Sequence, residues 1–187
     1  MSVEIEAKMR APDLDAARGK LKDAGATRVG EVMETNMFFD TEDRELTAGD
    51  NGLRVRRKKS ADGTEKFVVT FKGPRINSEI KQREEIEFGV TDAAAAKKLF
   101  QKLGFQTMLS FEKVRETWTF AGCTIELDTL PQLGTFVEIE GPDEPTVLDT
   151  RTKLGFDDLP LVNVAYSAMI HDHLRETSPG KRELVFE

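Results

Sequence analysis

The chain has 187 residues, enough for one large domain or two very small ones. Its 39% hydrophobic content supports a core, while 33% charged residues exceeds the usual ~25%. A net charge of -7 argues against general nucleic-acid binding, and the single Cys123 rules out a disulfide framework or a cysteine-based zinc site. No apolar run nears the ~18 residues of a membrane span, so a cytoplasmic protein without signal peptide or membrane contact is expected.

The first predicted element is a strand, Val3 to Lys8. At a period of two it places Glu4, Glu6 and Lys8 on one face and Val3, Ile5 and Ala7 on the other. A helix follows, with Leu14, Ala17, Leu21 and Ala24 at helical spacing and Gly25 ending it. Either Asp13 caps it or Pro12 takes its first position. Thr27 to Thr41 reads as a long strand, and Thr41 to Gly52 as a polar turn region. Leu53 to Lys58 and Glu65 to Lys72 form a hairpin across Ala61-Asp62-Gly63. Gly73 to Ile80 is expected to be a loop.

Lys81 to Val90 alternates again, with Arg83, Glu85 and Glu87 together. Thr91-Asp92 caps a helix whose stripe is Ala94, Ala95, Leu99, Phe100 and Leu103, ending at Gly104. Extended segments follow over Phe105 to Phe120, Cys123 to Leu130 and Phe136 to Glu140, joined at Ala121-Gly122 and Leu133-Gly134. Two more helices are expected, at Pro145 to Leu154 and Asn163 to Arg175. Residues 177–187 read as a loose charged tail after a single domain over 1–176, although Leu184-Val185-Phe186 could add a strand. Strands followed by a Gly-terminated helix occur twice, which suggests one barrel-like sheet built from two related halves.

One half-charged strand normally means a solvated face over a core. Here the charged faces are sorted by sign. Glu4/Glu6, Glu126/Asp128 and Glu138/Glu140 are paired acids; Arg54/Arg56 and Lys113/Arg115 are paired bases. Like charges two residues apart repel without gain, and the opposite faces (Val3/Ile5, Leu53/Val55, Ile86/Phe88, Ile125/Leu127, Val137/Ile139) are apolar enough for helices to cover. The reading is a closed barrel with a polar interior. Clustered carboxylates need a cation and clustered Arg and Lys need an anion. A polyphosphate with a divalent metal satisfies both, since Mg²⁺ takes hard oxygen ligands and Arg binds phosphate bidentately. By the same alternation Arg57 and Lys59 point outward and Arg56 and Lys58 inward. His171, His173, Cys123, Trp118 and Phe120 are read as surface or packing residues.

The ordered motifs carry a resemblance. E-x-E-x-K at Glu4 to Lys8, L-R-V-R at Leu53 to Arg56, F-K-G-P at Phe71 to Pro74, R-E-E-I-E at Arg83 to Glu87 and E-K-V-R at Glu112 to Arg115 come in sequence. L-D-x-L-x-x-L-G-x-F-V-E-I-E from Leu127 to Glu140 and Ala165-Tyr166-Ser167 follow. Together they resemble the CYTH superfamily, the triphosphate tunnel metalloenzymes, and most of all its class IV adenylyl cyclase-like branch. The resemblance implies an α+β fold: an eight-stranded antiparallel barrel forming a tunnel, with helices packed outside. It implies Glu4, Glu6, Asp128, Glu138 and Glu140 as ligands of Mg²⁺ or Mn²⁺. It implies Lys8, Arg54, Arg56, Lys72, Arg83, Lys113 and Arg115 as the triphosphate-binding set, with Lys8, Arg54, Lys72 and Arg115 acting in catalysis. Glu85 and Glu87 bind a second metal or orient the bases. Asn36 and Phe38 stand where many relatives carry Asp and Tyr. The implied activity is hydrolysis of a nucleoside, thiamine or inorganic triphosphate. Cyclisation of ATP and non-catalytic binding of polyphosphate or nucleotide are the alternatives, and a homodimer is left open. The sharpest geometric expectation is that Glu4, Glu6 and Lys8 face one tunnel, with Glu6 near Glu140.

Overall fold

The structure is a computed structural model that describes residues 2–76 and 80–187, Ser2 by its backbone only. The strands are β1 (Ser2–Arg10), β2 (Thr27–Asp40), β3 (Gly52–Ser60), β4 (Glu65–Ile76), β5 (Lys81–Val90), β6 (Gln106–Phe120), β7 (Cys123–Leu130), β8 (Gly134–Glu140) and β9 (Glu183–Leu184). The helices are α1 (Leu14–Asp23), α2 (Glu45–Ala48), α3 (Ala93–Lys102), α4 (Glu144–Lys153) and α5 (Tyr166–Thr177). The sheet runs β2-β3-β4-β5-β1-β8-β7-β6 and closes through an additional β2–β6 pairing, so eight antiparallel strands form a barrel. Among the described residues no helix is long and apolar enough to cross a membrane.

Local chemistry sets the element ends. Asp13 is the cap of α1 and accepts from the Ala16 N–H at 2.9 Å, which settles the choice between Asp13 and Pro12. Asp92 caps α3 and Asp143 caps α4 in the same way. Ala121 and Gly122 both take positive φ, 51° and 80°, the two-residue turn that matches strand twist between β6 and β7. At Gly141 a Cβ would sit 2.8 Å from both Cys123 Sγ and a Val147 methyl, so the bare glycine lets α4 come close to β7.

The apolar core lies mainly outside the barrel wall. Ala17 and Leu21 of α1 and Val147 and Leu154 near α4 cover Ile125, Leu127, Val137 and Ile139. Phe100 of α3 packs edge-on to Phe39, above Leu53, Val55 and Val69. Helix α5 differs. Its Tyr166, Ile170 and Leu174 pack on Leu109, Phe111, Leu130 and Phe136. These residues share strand parity with the inward charges of β6, β7 and β8, so α5 covers one end of the barrel rather than its flank.

Several expectations change. Gly73 to Ile76 continues β4 across a bulge between Lys72 and Arg75, where a loop was expected; 77–79 of that loop lie outside the described residues. The polar turn region contains the short helix α2. The last helix begins at Tyr166 rather than Asn163. Val3, Ile86 and Phe88 are exposed by 53%, 43% and 55%, so among the described residues no helix covers that part of the outer face. Leu99 and Leu103 of the α3 stripe are exposed too. The tail is anchored: β9 pairs parallel with β6 and buries Leu184.

Candidate active site in the tunnel

The inward faces enclose a cavity of ≈ 650 Å³. Alternation along β1 turns Glu4, Glu6 and Lys8 into it at 9%, 5% and 4% exposure, and Glu6 stands directly opposite Glu140 in the β1–β8 register. The expected geometry of this strand is therefore met. All the residues expected to hold metal or phosphate line the cavity except Asp128.

The charges divide into regions. On β3, Arg54 and Arg56 are both buried. Arg56 donates from Nε to Asn36 Oδ1 at 3.0 Å and pairs with Glu34 at 3.2 Å. Arg54 has weaker partners: Thr70 Oγ1 at 3.2 Å and Glu87 at 3.9 Å, while its buried Nε bonds to nothing. Burial and the adjacent Arg56 pull the Arg54 guanidinium down to about 10, so it stays charged at neutral pH. Glu87 accepts from Thr70 at 2.9 Å. Burial would raise its carboxyl, but that hydrogen bond and Arg54 hold it below the usual range.

Across the barrel, Asp128 is fully buried, and its two oxygens accept from Lys113 at 2.9 Å and from Arg115 at 2.7 and 2.5 Å. With its oxygens so engaged, Asp128 orients the two cations that face the cavity. Arg115 also pairs with Glu126, and with Glu138 at 2.5 Å. Lys8 lies 3.3 Å from Glu138, 4.1 Å above the Tyr166 ring, and donates to the Val164 carbonyl at 3.2 Å. Burial favours a protonated Glu138, but Lys8, Arg115, Lys113 and Lys81 outweigh it and hold the carboxyl well below its ordinary value. Glu126 goes the other way: burial, with Asp128 and Glu138 beside it, pushes it up to about 7 against the pull of Arg115.

The remaining region is acidic. Glu4 binds Lys72 at 2.5 Å through one oxygen, and its other oxygen is buried without a hydrogen bond. Lys72 also reaches Glu85 at 3.0 Å. Glu140 is exposed at the end of β8, yet dehydration and then Glu126, Glu4, Glu6 and Glu85 push it up to about 7. Carboxylates crowded this way, one with an orphaned oxygen, are a hard-oxygen donor set short of positive charge. They fit a divalent cation. Among the described residues no three His, Cys, Asp or Glu side chains converge on one metal position; Glu4, Glu6 and Glu138 are ion-paired with Lys72, Lys81 and Arg115.

Arg83 is placed at the cavity wall but donates to backbone carbonyls, Gly73 O at 2.7 Å and Asp50 O at 2.6 Å. It ties the β4 bulge to the segment after α2. Sequence reasoning missed the inward charges Lys81 and Glu34, and gave Tyr166 only as part of a motif. Lys81 opens β5 and pairs with Glu6 at 2.6 Å. Glu34 is wholly buried against Arg56, Lys113 and Lys58. Tyr166 is buried with its hydroxyl unpaired at the α5 end. The shared parity of Glu34, Asn36 and Phe38 was the available signal for the second. His171, expected at the surface, is half exposed at the cavity margin.

The CYTH domain family model matches residues 2–157. A Methanocaldococcus jannaschii protein with a provisional adenylate cyclase name is 32% identical over 138 residues, covering 74% of this chain and 76% of that protein. The structure of a Pyrococcus horikoshii protein superposes with a TM-score of 0.80 at 26% identity, covering 91% of this chain and 99% of the other. A Hippeastrum protein, provisionally named an adenylyl cyclase and described as having a dominant triphosphatase activity, shares the fold. Its TM-score is 0.68 at 21% identity, over 92% of this chain and 96% of its own.

Proposed function

Because the chain belongs to the CYTH domain family, we propose that it is a divalent-metal-dependent enzyme that hydrolyses a triphosphate inside its tunnel. The observation that carries this reading is Arg54. It is a buried guanidinium with an orphaned Nε, set beside Arg56 and facing a wall of carboxylates across one cavity. A buried cation with so little pairing is costly unless an anion completes it. Arg54, Arg56, Lys72 and Lys113 then hold phosphate oxygens, Arg54 with the most unspent donor capacity. Lys8, Arg115 and Lys113 are pre-oriented by Glu138, Asp128 and Tyr166, so no reorganisation is needed as charge builds on the leaving phosphate. Glu4, Glu6, Glu138 and Glu140 are the residues that would hold Mg²⁺ or Mn²⁺. When bound, that ion would neutralise phosphate oxygens and act as a Lewis acid toward the reacting phosphorus. Asp128 acts through Lys113 and Arg115, and Glu85 and Glu87 balance Lys72 and Arg54. In hydrolysis, water attacks the terminal phosphorus and the shortened phosphate chain leaves.

A second reading, cyclisation of ATP by its 3′-hydroxyl with release of pyrophosphate, is favoured by the apolar part of the cavity. Phe38, Met108, Leu109 and Val164 line it and offer room for a nucleoside that an inorganic chain would not use. The test measures phosphate and cyclic AMP released from tripolyphosphate, thiamine triphosphate and ATP with Mg²⁺ or Mn²⁺. Phosphate release that Glu6→Gln abolishes without loss of fold is expected. Cyclic AMP as the main product would favour the second reading, and no product from any of them would leave a binding module.

A further inference from the structure

Lys81 stands opposite Glu6 in the β1–β5 register, at the start of β5. Its side chain is 10% exposed and reaches into the cavity. Its Nζ lies 2.6 Å from Glu6 Oε1 and 3.9 Å from Glu4 Oε2. One ammonium group thus sits between the two carboxylates that open β1. Lys72 takes the other oxygen of Glu4. These are carboxylates assigned above to a divalent cation, and among the described residues they do not converge on a metal position as they stand. An ammonium and a divalent ion compete for the same lone pairs, because Lys offers three donors and no acceptor.

We propose that Lys81 is a tethered counter-cation: it neutralises Glu6 and Glu4 in the metal-free protein, and a divalent ion must displace it to bind. The inference rests on the metal-dependent reading above. It explains how a pair of acids is held inside the barrel without metal, and it makes metal affinity a matter of exchange rather than simple filling.

The experiment titrates Mn²⁺ into the full chain without substrate, following free Mn²⁺ by electron paramagnetic resonance. Lys81→Met should bind Mn²⁺ at least about tenfold tighter than wild type, the scale on which neighbouring groups tune metal sites. Mn²⁺ should also raise its melting temperature more than it raises that of wild type. Lys58→Met removes the same charge from the cavity, but Lys58 pairs with Glu34 at 4.0 Å and is paired with neither Glu4 nor Glu6, so its effect should be smaller. If Lys81→Met proves unfolded by circular dichroism, Lys81→Gln serves for the same titration. Unchanged Mn²⁺ affinity at Lys81, or equal tightening at Lys58, overturns the counter-cation and leaves the metal-dependent reading standing. Failure of both wild type and Lys81→Met to bind Mn²⁺ overturns both.

Discussion

Glu34 is a wholly buried charge inside the barrel. Its side chain is fully enclosed, and Arg56, Lys113 and Lys58 converge on it at 3.2, 3.6 and 4.0 Å. Burial alone would raise its carboxyl, but Lys113, Arg56, Arg115 and Lys58 hold it far below the ordinary 4.5. Glu34→Gln leaves those cations uncompensated and should cost about 3–5 kcal/mol at neutral pH. A lowered folded-state value means that the stabilisation is present above the unfolded value and is lost as pH falls toward the folded one. Urea unfolding of both proteins should therefore show a gap at pH 7 that narrows steadily below about pH 4.5, where wild-type Glu34 begins to carry a proton in the unfolded chain. A gap independent of pH would refute the ion-pair account. Glu34 was hidden in the sequence because the residues two positions away are Val32 and Asn36, so it has no like-charged partner on its face, and polar Thr35 on the other face blurs the alternation. Glu4, Glu6 and Lys8 were legible because three charges in strict alternation must share one polar face of a strand. Lys81 was not, since a lysine at a strand start is usually solvated.

At the scale of elements, the inward faces change character along their length. Strands β6, β7 and β8 present Lys113, Arg115, Asp128 and Glu138 on their inward side, and Phe111, Leu130 and Phe136 where α5 covers the end. The alternation was readable, but the switch from charged to apolar was not, because it depends on which helix returns to that end. The strand β9 is a second late addition. The Ser110 N–H donates to the Arg182 carbonyl at 2.8 Å, and Leu184 joins the α5 cluster at 3% exposure. Leu184→Ala should lower unfolding free energy by about 2–5 kcal/mol, as expected for emptying a closed apolar site. Val185→Ala, on an exposed neighbour, should change it by less than about 0.5 kcal/mol. Equal effects in chemical denaturation would show that β9 merely rests on the surface. The continuation of β4 through Gly73 and Pro74 escaped notice for a related reason: Gly-Pro reads as a break, and a bulge absorbs it only because β5 lies alongside.

Over the whole molecule, a protein of net charge -7 concentrates much of its positive charge on the inside of a barrel. A polyanion should therefore be repelled by the outer surface and attracted by the lumen. Raising KCl from 0.1 to 1 M shortens the screening length from about 10 to about 3 Å. If the lumen governs, tripolyphosphate affinity measured by calorimetry should fall by roughly tenfold over that range. Tightening with salt would mean that net repulsion dominates and that the phosphate binds elsewhere.

The closure of the barrel has a kinetic consequence. Strands β2 and β6 pair along nearly their whole length, joining residues near Asn36 to residues near Phe111 across most of the intervening chain. Contacts so distant in sequence pay their loop entropy before they return anything, so this seam belongs to the slow part of folding. It also brings Glu34 to Lys113. Until this seam and the still more distant β1–β8 pairing both form, the nascent tunnel is an open trough with its opposite charges apart and wet.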